Sequence, residues 1–347
     1  KFTLSYMCAQ GQDVLVDSDS FKMGSRFCNK VWNASRYILG NLEGRNLIPV
    51  KDSDLNELDK WIFTALNTAA KNAREALDGY RYNDAASTVY EYFWNNFCDW
   101  YVEATKLSFW HGDEHEKDRA VSVLLNVLEE SLRLLHPFIP FVTEEIYSKL
   151  PRAQIIENRK KAGNQKIMSN EEYSDLLVAA PYPEFSENRA DEKITARFAG
   201  LQDLIRSIRG LRNECGIDPA TKITVAILIE KGSDAEVCRE KVEMICLLAG
   251  LAKVEFVEKK SEKSIGAVGK GFEAFILIDE NINREQLLAR FQKDIEKNQK
   301  DVERTEAKLN GKFAEHAPAE VVQAERDKLA ETKRRIEKLG TYVEALK

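Results

Sequence analysis

The feature that most constrains this chain is a repeat in its last segment. Leu288, Phe291, Ile295, Asn298, Val302, Thr305 and Leu309 recur at alternating steps of three and four residues. After Asn310-Gly311 and Pro318, Val322, Glu325, Leu329, Thr332, Ile336, Leu339, Val343 and Leu346 repeat the same steps. A seam of about 3.5 residues closes against a second helix that carries the same repeat. The two runs follow each other across a short turn, so the spacing predicts an antiparallel coiled-coil hairpin. Asn298, Thr305, Glu325 and Thr332 stand at seam positions and fix register at some cost in stability.

Charge separates this hairpin from the rest. Residues 283–347 hold 15 Lys and Arg against 13 Asp and Glu, whereas the 347-residue chain as a whole carries a net charge of −6. An acidic protein does not coat itself in nucleic acid through bulk charge, so a nucleic-acid site must be a local patch.

The first part of the chain reads as helices. Phe27, Val31, Ala34 and Ile38 form one apolar stripe within Phe21–Gly40, with Cys28, Trp32 and Leu39 beside it. A second helix is predicted from an N-cap at Ser53 to Leu77, a third, aromatic-rich, from Tyr82 to Leu107, and a fourth from Glu116 to Leu135. His136-Pro137 stops the fourth, and Pro140 opens a short helix ending near Leu150. Broad apolar faces and short links make this an antiparallel helical bundle. The polar stretch Pro151–Asp175 is predicted to be a loop. Lys1–Met7 reads as the middle of a helix, so the chain is expected to be a piece of a longer protein.

After a helix over Glu192–Glu214 the period changes from helical to alternating. Ile223–Ile229 reads as a buried strand, Ser233–Leu248 as a helix, and Val254–Val257 and Phe272–Ile278 as further strands. The predicted fold class is therefore mainly α: an antiparallel helical bundle over 1–190, a small α/β junction module over 191–282, and a C-terminal antiparallel coiled-coil hairpin over 283–347.

Several chemistries find no support. No apolar run approaches the roughly 20 residues needed to span a bilayer, so no membrane association is expected. The six cysteines at 8, 28, 98, 215, 238 and 246 include no C-x-x-C pair and stand beside apolar neighbours, as reduced core thiols of a cytoplasmic protein would. His111-Gly-Asp-Glu-His115 departs from the zincin order and reads as a loop that caps the next helix through Asp113, with no metal site. Gly266-Ala-Val-Gly-Lys-Gly271 lacks the Ser or Thr of a phosphate loop and leads into a strand, so it reads as a hairpin turn. No catalytic residue is assigned.

One helix face does suit RNA. Arg26, Asn29, Lys30, Asn33, Arg36 and Tyr37 fall at helical spacing, opposite Phe27, Val31 and Ile38. Guanidinium, amide and phenol groups on one face suit phosphate contacts, base-edge hydrogen bonds and stacking on an unpaired base. On periodicity alone an ordinary solvated face remains the alternative.

Four segments carry a family likeness: Arg26-Phe-Cys-Asn-Lys-Val-Trp-Asn-Ala-Ser-Arg-Tyr37, Leu58-Asp-Lys-Trp-Ile62, Tyr92-Phe-Trp-Asn-Asn-Phe-Cys-Asp-Trp-Tyr101 and Leu134-Leu-His-Pro-Phe-Ile-Pro-Phe-Val-Thr-Glu-Glu-Ile-Tyr147. They resemble the anticodon-binding domain of the valyl-tRNA synthetase family, class I aminoacyl-tRNA synthetases. Ile208-Arg-Gly-Leu-Arg-Asn-Glu214 with Pro219 is similar to that family's junction region. Leu309-Asn-Gly-Lys-Phe313, Ala317-Pro318, Val321-Val322 and Glu325-Arg326-Asp-Lys-Leu329 are similar to its C-terminal coiled coil. Tyr147 replaces the family's usual Trp and Val31 a common Leu.

The resemblance implies a tRNA-binding piece of valine–tRNA ligase. The parent activity attaches valine to tRNA-Val with ATP and Mg, and the HIGH and KMSKS signatures and editing domain would lie upstream. This piece is expected to hold no cofactor, to be catalytically inactive by itself, and to work as a monomer attached to the rest of the synthetase. Carried over onto this sequence, Lys30, Arg36 and Tyr37 are implied as anticodon contacts, with Arg26, Asn29 and Asn33 beside them. Lys300, Arg304, Lys308, Lys312, Arg326, Arg334 and Lys338 are implied as backbone contacts of the arm. The alternative is a non-catalytic helical scaffold that pairs with a protein partner through its coiled coil.

Overall fold

The computed structural model describes residues 1–8, 17, 19–163, 174–259, 265–277, 282–311 and 318–346, and the chain divides into two compact units, Lys1–Phe198 and Ala199–Lys347. The first unit holds α1 (Phe2–Met7), α2 (Ser20–Gly40), α3 (Glu57–Asp78), α4 (Tyr82–Glu91), α5 (Glu103–His111), α6 (Glu114–Leu135), α7 (Pro140–Lys149) and α8 (Arg152–Ala162). A π-helical segment, Tyr92–Val102, joins α4 to α5. Helix α9 (Glu192–Cys215) crosses the division between the units.

Local chemistry sets the helix starts. Helix α3 begins at Asn56, not at the predicted Ser53. Asn56 Oδ1 accepts the Asp59 N–H at 2.9 Å and Asp59 accepts the Asn56 N–H at 3.1 Å. This reciprocal box satisfies two otherwise orphaned donors, which a lone Ser53 does not do; Ser53 lies instead in a short 3-10 turn, Asp52–Asp54. Asp113 caps α6 as expected from the sequence, accepting the Glu116 N–H at 2.8 Å. Pro140 occupies the first position of α7, where its missing N–H costs nothing.

The core of this unit is aromatic and aliphatic. Phe27 of α2 meets Phe93 of the π-helical segment edge to face, and Val31, Ile38, Phe97, Tyr101 and Arg119–Leu135 of α6 are buried in the same unit. The predicted continuous helix over 82–107 is helical throughout, but its middle widens to i→i+5 bonding, a change that an aromatic-rich period does not signal. Buried charges cross-link the helices. Asp59 accepts the Tyr101 hydroxyl at 2.7 Å and pairs with Arg119, and Glu130 pairs with Arg189 at 2.6 Å.

The predicted loop over 151–175 is corrected by α8. Its inward side consists of Ile155, Asn158 and Arg159, so the sequence shows no apolar stripe. Arg159 Nε donates to Asn126 Oδ1 at 2.7 Å, and its Nη2 pairs with Glu129 at 2.8 Å. Polar complementarity takes the place of hydrophobic periodicity.

In the second unit, β1 (Ile223–Ile229), β2 (Leu251–Phe256), β3 (Ile265–Gly269) and β4 (Phe272–Ile276) form one sheet in the order β2-β1-β4-β3. Strands β1 and β2 are parallel, with α10 (Val242–Ala249) in the connection; the other two pairings are antiparallel. The predicted helix over 233–248 resolves into a 3-10 turn, Asp234–Arg239, and α10. Most of the predicted turn at Gly266–Gly271 is strand β3, and the reversal is confined to Lys270-Gly271, with Gly271 at φ +80°. Gly266 and Gly269 lie opposite Phe275 and Phe272, and an added Cβ would come within 2.5 Å and 2.0 Å of those rings. These glycines make room for aromatic rings across the strand pair rather than bend the chain.

Helices α11 (Arg284–Leu309) and α12 (Ala319–Ala345) form the expected hairpin. Their contacts step in opposite directions: Phe291 with Tyr342, Glu306 with Lys333, Lys308 with Glu325. Along the seam Leu287, Phe291, Leu339, Val343 and Leu346 are buried at the base and Val322 near the tip, with half-buried positions between them. Leu287 takes the innermost place assigned to Leu288. Asn298, Thr305 and Thr332 donate to carbonyls one turn back on their own helices, so they fill the seam without bonding across it. Tyr342 anchors the base by donating to the Gly266 carbonyl at 2.9 Å.

Candidate nucleic-acid interface

Helix α2 contains Lys22, Arg26, Lys30 and Arg36, and no acidic residue occurs between positions 20 and 42. Its apolar stripe is fully used, with Phe27, Val31 and Ile38 entirely buried. The opposite face is left for solvent or for a partner. Arg26, Asn29, Asn33 and Arg36 are exposed there, and their side chains make no hydrogen bond or ion pair to the described residues. Four unpaired donors on one face of an acid-free helix form the local cationic patch that the charge of the chain requires.

Lys30 and Tyr37 sit at the edge of that face rather than on it. Lys30 Nζ pairs with Asp99 of the π-helical segment at 2.6 Å and lies 5.2 Å from the centroid of the Trp94 ring. Tyr37 is half-buried beside α5, with Lys106 Nζ 5.8 Å from its ring centroid, and burial pushes its phenol above the usual range. Its deprotonation plays no part near neutral pH. The structure thus brings Arg26, Asn29, Asn33 and Arg36 together and draws Lys30 and Tyr37 into contacts with neighbouring helices.

Sequence periodicity misplaces one residue. Trp32 stands beside the apolar stripe in a reading by residue type, yet it is 39% exposed. It lies three residues after Asn29 and four before Arg36, and that spacing is the available signal for the polar face.

On the arm, Lys300, Arg304, Arg326 and Arg334 are exposed, without an ion partner among the described residues. Lys308 is held by Glu325 at 2.6 Å across the hairpin. Lys338 is held by Glu214 at 2.9 Å and lies over the Tyr342 ring, 5.6 Å from its centroid. Lys312 lies outside the described residues.

The buried cysteines offer no nucleophile. Burial pushes the thiols of Cys98, Cys215 and Cys238 up to about 12, far from the thiolate that nucleophilic attack needs. Among the described residues no three His, Cys, Asp or Glu side chains are grouped to hold a metal ion. A groove of about 310 Å³ between α1, α2 and α7 is lined mainly by apolar side chains such as Phe2, Phe21, Phe138 and Phe141.

Residues 59–227 match the family model described as the anticodon-binding domain of tRNA ligase, and residues 283–347 match the valyl tRNA synthetase tRNA binding arm. Helix α2 precedes the first of these matches. Valine–tRNA ligase of Treponema denticola is 54% identical over the whole chain, and the chain covers 38% of that relative. The Treponema pallidum enzyme is 47% identical over 99% of the chain, and that of Thermotoga maritima 35% over all of it; each is covered to 37%. The chain therefore spans somewhat more than a third of the length of these curated relatives.

Proposed function

The chain belongs to the valyl-tRNA synthetase family, and from that membership we propose that it holds tRNA-Val for the parent enzyme. The bundle reads the anticodon loop through the α2 face, and the arm braces the outer corner of the tRNA through backbone phosphates. The observation that carries this reading is the acid-free, unpaired face of α2 in a chain of net charge −6. A second basic element, the arm, matches a family named for tRNA binding.

In this proposal residues 1–190 recognise the anticodon, 191–282 join the parts and 283–347 clasp the tRNA. Arg26, Asn29, Asn33 and Arg36 contact RNA directly. Lys30 and Tyr37 shape the edge of the site, and Lys300, Arg304, Arg326 and Arg334 meet phosphates. Lys308 and Lys338 contribute after release from their carboxylate partners. Valine activation with ATP and Mg, tRNA charging and editing belong to the rest of the cytoplasmic enzyme, and this piece forms no valyl-adenylate and holds no cofactor. The absence of HIGH and KMSKS sequences here supports that division of labour. The piece acts as a monomer, since α11 and α12 close their seam on each other and leave no second copy required.

The test is fluorescence anisotropy of the chain with tRNA-Val and with a tRNA of other specificity, at two salt concentrations. Preference for tRNA-Val is expected. Equal, salt-sensitive binding to both would contradict anticodon reading by this piece, and a dimer that binds neither would favour a protein-pairing scaffold.

A further inference from the structure

Trp32 is an exposed indole in an otherwise polar row. Asn29 lies one turn before it and Arg36 one turn after, with Asn33 adjacent. Most large apolar side chains of α2 are buried or half-buried, whereas Trp32 is 39% exposed and makes no ring contact or hydrogen bond with the described residues. Tyr37, the other aromatic group flanking this face, is half-buried with Lys106 against its ring. One flank thus offers a partly exposed indole with no ring partner among the described residues, and the other does not.

The geometry points to Trp32 as the stacking wall of a subsite for an unpaired nucleobase, with Asn29, Asn33 and Arg36 placed to meet that base's polar edge and its phosphate. This rests on the reading of α2 as an RNA-binding face. An indole stacks on any base because every base has a π-face, so Trp32 supplies affinity for unstacked RNA. The neighbouring amides, each with a donor and an acceptor, supply the edge contacts that a paired base hides. The absence of acidic side chains along α2 leaves nothing on this helix to repel the phosphate. Asp99, on the π-helical segment, is engaged by Lys30 on the opposite flank.

The experiment uses the 347-residue chain and an RNA hairpin bearing the tRNA-Val anticodon loop, with 2-aminopurine at a loop position. A fully paired duplex of matching stem serves as the reference. Wild type should quench the 2-aminopurine on binding and prefer the hairpin. Trp32→Leu keeps an apolar side chain but removes the π-face, so it should weaken hairpin binding roughly ten- to a hundred-fold and abolish quenching. Trp32→Phe should keep most of both, and duplex binding should not change in either variant. Circular dichroism separates these effects from unfolding. If Trp32→Leu binds and quenches as wild type while Arg36→Ala weakens binding, the stacking assignment is overturned and the RNA-binding face stands. If neither variant changes hairpin binding, the face itself is overturned, and the subsite with it.

Discussion

Lys30 Nζ on α2 lies 2.6 Å from the Asp99 carboxylate on the π-helical segment, so a cation that the sequence assigns to RNA is already neutralised by the protein. The pair is 32% and 40% exposed, which leaves it screened by water and worth no more than about 1 kcal/mol. Asp99→Asn should therefore leave stability nearly unchanged and raise RNA affinity about threefold by freeing one cation near the patch. Lys30→Ala should cost less RNA affinity than Arg36→Ala. Titrations of the three variants at one salt concentration check the order, and a larger loss for Lys30→Ala would show that the ion pair opens in the complex.

Glu129 is about nine-tenths buried and takes Arg159 at 2.8 Å and an Arg133 Nη2 at 3.2 Å. Burial pushes its carboxyl upward, but the two guanidinium groups outweigh that and hold it below the usual carboxylate range. A carboxyl with a lower pKa folded than unfolded stabilises the fold above its unfolded pKa, and loses that contribution as pH falls through the folded value. Arg159→Met leaves the buried carboxylate one partner short, so urea unfolding at neutral pH should show a loss of about 3–5 kcal/mol. Acid unfolding should also begin at higher pH than in wild type. An unchanged acid transition would exclude Glu129 as a source of the pH dependence.

Phe291 is fully buried at the base of the arm, its ring centroid 5.6 Å from that of Tyr342. Phe291→Ala should cost about 3–5 kcal/mol, because a rigid base cannot collapse onto the cavity. Hydrogen exchange should show weakened protection in α11 and α12 while β1 stays protected. Simultaneous weakening in β1 would mean that arm and sheet unfold as one cooperative element.

Lys300 and Arg304 stand one turn apart on α11 without ion partners among the described residues, whereas Lys338 is bound to Glu214. Replacing Lys300 and Arg304 with Gln should lower the salt slope of tRNA binding by about one to two, one for each phosphate that is no longer neutralised. Lys338→Gln should lower that slope by less than about one, because its ammonium must first leave Glu214. The opposite result would place the tRNA backbone at the base of the arm instead of along α11.

What the sequence reveals follows from how local each cause is. Strand β1 has the bounds its alternation predicts, and the cap on α6 is legible because Asp113 acts within four residues. The arm is legible because its repeat is long. Helix α8 is not, since Arg159 faces inward to meet Glu129 and Asn126 from α6, and an inward arginine reads as surface in a periodicity analysis. The same limit governs the α2 face. Arg26, Asn29, Asn33 and Arg36 are where their spacing puts them, while Lys30 is engaged by Asp99, a residue far along the chain. Residue type assigns Trp32 to the core, although its angle on the helix places it outside.

The most direct test of the account is a double-mutant cycle between Arg36→Ala in the protein and a changed anticodon in tRNA-Val, measured as binding free energies at fixed salt. If α2 reads the anticodon, the two changes should couple by roughly 1–3 kcal/mol, because each removes one side of a shared contact. Strict additivity would contradict the account and leave α2 as a cationic surface that does not read the anticodon.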